Sequence, residues 1–197
     1  MNRTLIVIIL DESSSMNENL QLVMCGYNSF IKDQRFIEED IARVFQIKFS
    51  SKINEIIGSI DIREMPNISP RNYQPDGMTA LFDAVAKGIH YATIAKAPDE
   101  RVVFLIITDG EDNMSKKATA NDIKEMIHEK KKEKDWTFLY IGENPQNWAK
   151  KSGMDVTDGL QYNHRNPEKS FFQASQVLAN FRKANETKGN NLFEKFY

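Results

Sequence analysis

Three short stretches of this chain bring carboxylates and hydroxyls to points where apolar runs end. In "DESSSM" the alternate residues are Asp11, Ser13 and Ser15, and in a locally extended chain alternate side chains point to one side. One carboxylate and two hydroxyls then converge. "PDGMTALFDA" carries Thr79 at the start of a helical pattern, and "LIITDGED" carries Asp109 where another apolar run stops. Pooled, these groups are hard oxygens, a donor set that suits Mg²⁺ or Mn²⁺; zinc would call for histidine and cysteine. The histidines at 90, 128 and 164 are widely separated, match no metal spacing and read as surface or helix residues.

Each fragment also has a structural use of its own. Serines after a strand cap the next helix, Thr79 can do the same, and Asp-Gly is a common turn. A metal site therefore requires a fold that gathers all three fragments at one edge. The apolar run at 5–10 ends in Asp11, so a strand interior leads directly to a charge that needs a counter-charge.

The elements that would do the gathering are legible as alternating apolar runs and helical periodicities, the pattern of a parallel sheet covered by helices. Residues 4–10 read as the first strand. Leu20, Val23, Met24, Tyr27, Phe30 and Ile31 then recur at helical spacing. Residues 44–49 and 55–60 are two strands joined by Ser-Ser-Lys, a closeness that predicts a hairpin and hence one antiparallel edge strand. Pro66, Pro70 and Pro75 make 65–77 a loop. A helix follows, with Leu81, Val85, Ile89, Ala92 and Ile94 as its buried stripe. "RVVFLIIT" at 101–108 is a central strand, 119–134 a helix with Ile123, Met126 and Ile127 inward, and "WTFLYIG" at 136–142 another strand. A short helix around Trp148, a weak strand near Val156 and a last helix bearing Phe171, Phe172, Ser175, Leu178 and Phe181 complete the series. The expected fold class is α/β: a doubly wound, mostly parallel central sheet with one antiparallel edge strand and helices on both faces. All three clusters then open on the C-terminal edge of the sheet, where open α/β sheets place their ligands. One domain is expected over 1–184, with 185–197 as a tail.

Composition narrows the function classes. With 197 residues, 41% apolar and 27% charged, the chain can bury a substantial core. The net charge of −2 gives no general attraction to nucleic acid or to an anionic membrane. The lone Cys25 allows no internal disulfide. The run at 5–10 is shorter than a secretory apolar region and lacks a small-residue cleavage site, and no segment approaches the ~18 apolar residues of a membrane span. A cytoplasmic location is expected.

The series Asp11-x-Ser13-x-Ser15, Thr79, Asp109-Gly110 resembles, in order, spacing and strand context, the metal-ion-dependent adhesion site of the von Willebrand factor A domain family. The likeness runs from about residue 4 to at least 141 and looks nearest to the compact intracellular bacterial members. It implies a Rossmann-like fold and an Mg²⁺ or Mn²⁺ held by the hydroxyls of Ser13, Ser15 and Thr79, with Asp11 and Asp109 bound directly or through water. It also implies a non-enzymatic module whose metal takes an Asp or Glu from a partner protein, with no nucleic-acid or membrane partner. With no second domain fused in these residues, an effector such as an ATPase complex is expected on a separate chain. Ser14 should point away from the metal and Glu12 into solvent; Asp83, one turn after Thr79, reads either as an acid favouring the start of its helix or as support for a ligand from behind. Glu111 and Asp112 should add negative potential around the site.

Two enzymatic or cofactor readings compete. A phosphatase-like hydrolase of the haloacid-dehalogenase type also starts with an Asp at the end of its first strand. Its acid/base lies two positions on, where this chain has Ser13, which cannot hold that role. A flavodoxin-like FMN site would place phosphate beside Asp11 and Glu12, which repel it.

Overall fold

The computed structural model describes residues 2–184, so the expected tail at 185–197 lies outside the described residues. Among the described residues six strands form one sheet in the order β3-β2-β1-β4-β5-β6. They are β1 (Asn2–Asp11), β2 (Asp40–Phe49), β3 (Ile53–Asp61), β4 (Arg101–Ile107), β5 (Trp136–Gly142) and β6 (Gly159–Gln161). Every pairing is parallel except β2 with β3, the hairpin at one edge. The alternation of β1 shows why this is a two-sided sheet. Ile6, Ile8 and Leu10 enter one apolar cluster and Leu5, Val7 and Ile9 the other, all fully buried.

On the first face lie α1 (Leu20–Arg35) and α5 (Pro167–Lys183), contributing Tyr27, Phe30, Phe171 and Leu178 to one cluster. On the second lie α2 (Leu81–Ala95), α3 (Ala120–Lys132) and α4 (Pro145–Ser152), contributing Val85, Ile89, Ile127 and Trp148 to the other. Two glycines set how closely the layers approach. A Cβ on Gly88 would lie 2.5 Å from Ile9 Cδ1, so α2 rests on β1 only because none is there. On Gly26 it would lie 3.0 Å from the Glu168 Cα, which fixes the approach of α5 to α1.

Three details differ from the sequence reading. Ile94 is 69% exposed; it lies two residues after the buried Ala92, off the helical stripe, and the partly buried Ala95 takes the inward place. The weak strand is β6, whereas Val156 belongs to the 3₁₀ turn before it. And β2 begins at Asp40, four residues before its apolar alternation starts, because Thr4 Oγ1 and Arg182 Nε bind the Asp40 carboxylate in the interior.

Strand order fixes where a ligand would bind. Chain connections leave β1 in opposite directions on its two sides, toward β2 and toward β4, and a crevice opens above the carboxyl ends of β1 and β4. Asp11 and Asp109 stand there.

Candidate metal centre at the C-terminal edge of the sheet

Asp11 is the last residue of β1, and its carboxylate is held on both oxygens. The Ser13 backbone N–H donates to Oδ1 at 2.7 Å and the Thr108 hydroxyl to Oδ2 at 2.5 Å. The first bond closes a tight turn that throws Ser13 and Ser15 to the same side, and their hydroxyl oxygens stand 3.2 Å apart. Ser15 then donates to Asp109 Oδ1 at 2.6 Å, joining the end of β1 to the end of β4. Thr79 completes the group from the opposite side. A Cβ on Gly110 would lie 3.9 Å from Thr79 Oγ1 and 4.0 Å from Ser15 Oγ, so both hydroxyls border the same small space. All five expected residues are thus brought together, and Ser14 beside them is exposed.

The neighbours of this group lock it in place. Thr79 is fixed through its backbone: its N–H donates to Asn113 Oδ1 at 2.8 Å, and its carbonyl accepts from the Asn113 and Met114 N–H groups. The Tyr73 hydroxyl donates to the Asp11 carbonyl at 2.7 Å, pinning the proline-rich loop to the strand end. Glu12 departs from expectation. It is 5% exposed and accepts from the Gln74 N–H and from Asn54 Nδ2, because its side chain turns to the opposite side from Asp11 and meets the loop folded over β2 and β3. Asp83 is also not behind a ligand; it accepts the N–H groups of Lys116, Lys117 and Ala118. Glu111 is neutralised by Lys151, and Asp112 accepts from the Phe82 N–H and the Ser115 hydroxyl. The acids after Asp109 therefore tie the 109–118 loop to α2 and α4 and add little free charge. Asp83→Ala is expected to lower stability by ~1–3 kcal/mol in a denaturant titration, since three backbone donors lose their acceptor together. A loss under ~0.5 kcal/mol would show that water replaces the carboxylate.

Electrostatically the cluster is unbalanced. Burial pushes the Asp11 carboxyl up to about 6, against the lowering effect of the Thr108 and Ser13 hydrogen bonds, and the charge of Asp109 adds to the rise. Burial also raises Asp109, opposed by its bond from Ser15. Among the described residues neither carboxylate is paired with a lysine or arginine. No three His, Cys, Asp or Glu side chains gather anywhere among those residues, so the converging oxygens are two carboxylates and a majority of neutral hydroxyls. That donor set fits a hard divalent cation, which would supply the missing positive charge. As an acid/base pair the group is poor: at the position a hydrolase would give to its second acid this chain has Ser13, whose hydroxyl cannot hold that role.

Thr108, Tyr73 and Asn113 were not singled out from the sequence. Thr108 directly precedes Asp109, and its place beside the Asp11 register was a usable signal; Tyr73 and Asn113 lie in loops and carried none.

The sequence model of the von Willebrand factor type A domain matches residues 6–175, a span that contains all five clustered residues. Solved structures agree in fold. The vWF domain of the type V pili tip protein Mfa5 from Porphyromonas gingivalis superposes with a TM-score of 0.64 at 10% identity, covering 94% of this chain and 98% of that one. The pilus adhesin SpaC from Lactobacillus rhamnosus GG gives 0.68 at 12% identity over 92% of this chain and 30% of its own. The ArnB paralog VWA2 from Sulfolobus acidocaldarius gives 0.58 at 15% identity over 91% and 45%. The chain thus spans nearly all of the first and less than half of the other two. No curated protein matches it. No helix among the described residues is long and apolar enough to cross a membrane.

Proposed function

The chain belongs to the von Willebrand factor type A domain family, a family of protein-interaction modules, and from that premise we propose that it binds a partner protein through an Mg²⁺ or Mn²⁺ held by Ser13, Ser15, Thr79, Asp11 and Asp109. The observation that carries this reading is the convergence of three hydroxyls on two buried, unpaired carboxylates at the switch point of the sheet. Once bound, the ion supplies an electrophilic position for one further hard anion, because neutral hydroxyls leave much of its charge uncompensated. The protein's own part is to hold the ligands. Thr108 and the Ser13 N–H fix the Asp11 carboxylate, Asn113 fixes the backbone of Thr79, and Ser15 links the two strand ends. The partner's contribution is an aspartate or glutamate, and the chain acts as an adaptor to a separate effector such as an ATPase complex, without chemistry of its own.

Calorimetric titration with Mg²⁺ or Mn²⁺ tests this. One site is expected in the intact chain, and Asp11→Ala is expected to reduce binding by at least a hundredfold, about 2.7 kcal/mol. Equal binding by the variant would remove the site. The haloacid-dehalogenase alternative would show itself as Mg²⁺-dependent release of phosphate from a generic phosphomonoester, which is expected to be absent.

A further inference from the structure

The Thr79 hydroxyl differs from the other two at the metal centre. Those of Ser13 and Ser15 lie 3.2 Å apart and Ser15 bonds Asp109, whereas the Thr79 side chain makes no hydrogen bond among the described residues. Its place is therefore set by the backbone on either side of it. Asn113 holds that backbone from the 109–118 loop. From the other direction the turn between β2 and β3 holds it: the Ser51 hydroxyl accepts from the Met78 N–H at 2.8 Å, and the Ser50 carbonyl from the Ala80 N–H at 2.8 Å. Both residues flanking Thr79 thus hang on one hairpin turn. The approach is close, since a Cβ on Gly77, whose φ is +81°, would lie 2.6 Å from Ser51 Oγ.

Glu12 ties this turn to the metal centre. It stands between Asp11 and Ser13 and is 5% exposed. Its carboxylate is shared between two segments: Oε2 accepts from Asn54 Nδ2 at 2.7 Å and Oε1 from the Gln74 N–H at 2.8 Å. Asn54 Nδ2 also reaches Ser50 Oγ at 3.2 Å, so one arm runs from Glu12 through Asn54 to the turn that holds Met78 and Ala80. The other runs along the chain from Gln74 to Thr79. Two backbone bonds reinforce it, from the Asp76 N–H to the Glu12 carbonyl and from the Ser14 N–H to the Gly77 carbonyl, each 3.0 Å long.

Resting on the metal-centre reading above, we propose that Glu12 is a positioning residue for Thr79: its two side-chain hydrogen bonds fix the hairpin turn and the proline-rich loop against the end of β1, and so set where the Thr79 hydroxyl stands relative to the ion. Both of its oxygens are engaged away from the cluster, so it acts through Thr79. Residues 50–54, which supply no ligand, thereby become part of the working site.

The test follows Mn²⁺ binding to the full chain by the EPR signal of the free ion, with the folding of each variant checked by circular dichroism. Glu12→Ala is expected to weaken binding at least tenfold, as losses of outer hydrogen bonds around a metal do. In a chain already carrying Thr79→Ala, the same change is expected to alter affinity less than twofold, because both act through one hydroxyl. Glu12→Gln keeps an acceptor for the Gln74 N–H and, once the Asn54 amide turns over, donates to its oxygen; it is expected to stay within threefold of the parent. Asn54→Ala, at an exposed position, cuts one arm only and is expected to lose severalfold. Should Glu12→Ala fail to fold, Asn54→Ala takes its place in both backgrounds. Parent-like binding by the alanine variant, or an equal loss whether or not Thr79 is present, would overturn the inference. So would a glutamine variant as weak as the alanine one, which would mean that the charge of Glu12 acts on the ion directly. None of these outcomes touches the metal centre itself, whereas a parent chain that binds no Mn²⁺ would strike that centre, and the inference would fall with it.

Discussion

Replacing Arg182 by alanine is expected to cost the protein ~3–5 kcal/mol, a large part of the stability of a domain this size. Arg182 is completely buried near the end of α5. Its Nε donates to Asp40 Oδ2 at 2.7 Å, Nη1 to the Gln34 carbonyl at 2.5 Å and Nη2 to the Asp40 carbonyl at 3.2 Å. The guanidinium therefore fastens α5 to the end of α1 and to the first residue of β2. Without it the Asp40 carboxylate, wholly buried, would keep only the Thr4 hydroxyl and a longer contact to Arg101 at 3.8 Å. The cost is mainly that stranded charge. Arg182→Lys is expected to recover little, since one ammonium cannot reproduce three donor directions. Arg182→Met combined with Asp40→Asn should recover most of the loss by removing both charges together. Urea titrations followed by circular dichroism would measure all three. A loss below ~1 kcal/mol for the alanine variant would mean that water enters and solvates Asp40.

Arg182 also shows where the sequence stops being readable. In "NFRK" a basic residue near a helix end is well explained by the helix dipole and by solvent, and nothing local distinguishes Arg182 from its exposed neighbour Lys183. Its partner lies 142 residues away, at a strand start hidden because Asp40 is polar where a strand interior is expected to be apolar. The sheet was legible because its periodicities are local: β1, β4 and β5 are nearly unbroken apolar runs, and the helices between them keep a clear apolar stripe. The five clustered residues were legible for a similar reason, each being a polar residue at the end or beginning of such an element. What supports them was not. Glu12 looked solvated and is buried, because it answers to Gln74, 62 residues away; Asp83 read as a helix-start acid or a ligand support, and besides standing in the first turn of α2 it holds a loop 33–35 residues on. Local pattern places a side chain on an edge, and only the packed chain decides which neighbour it meets.

Asp11→Asn is expected to make the metal-free protein more stable and at the same time to abolish its stabilisation by Mg²⁺. The ordinary Asp pKa of 3.8 rises to about 6 in the folded chain because burial disfavours the carboxylate. The folded state therefore holds this proton more tightly than the unfolded chain does. Above pH 6 the folded state carries a charge it disfavours, and the penalty is fully present; it fades as pH falls from 6 toward 4 and is absent below. A rise of this size corresponds to a penalty on the order of 3 kcal/mol at neutral pH. Asparagine keeps the shape without the charge. Its carbonyl oxygen can accept from the fixed Ser13 N–H, and the Thr108 hydroxyl can turn to accept from its amide, so neither present partner is left unmet. In EDTA at pH 7 the variant is expected to gain ~1–3 kcal/mol over the parent in denaturant titrations, and the gain should vanish near pH 4. Excess Mg²⁺ reverses the ranking: at a hundred times its dissociation constant it adds ~2.7 kcal/mol to the parent alone. A variant less stable than the parent in EDTA would show that the carboxylate is accommodated without a cation. A variant as responsive to Mg²⁺ as the parent would remove Asp11 from the ligand set.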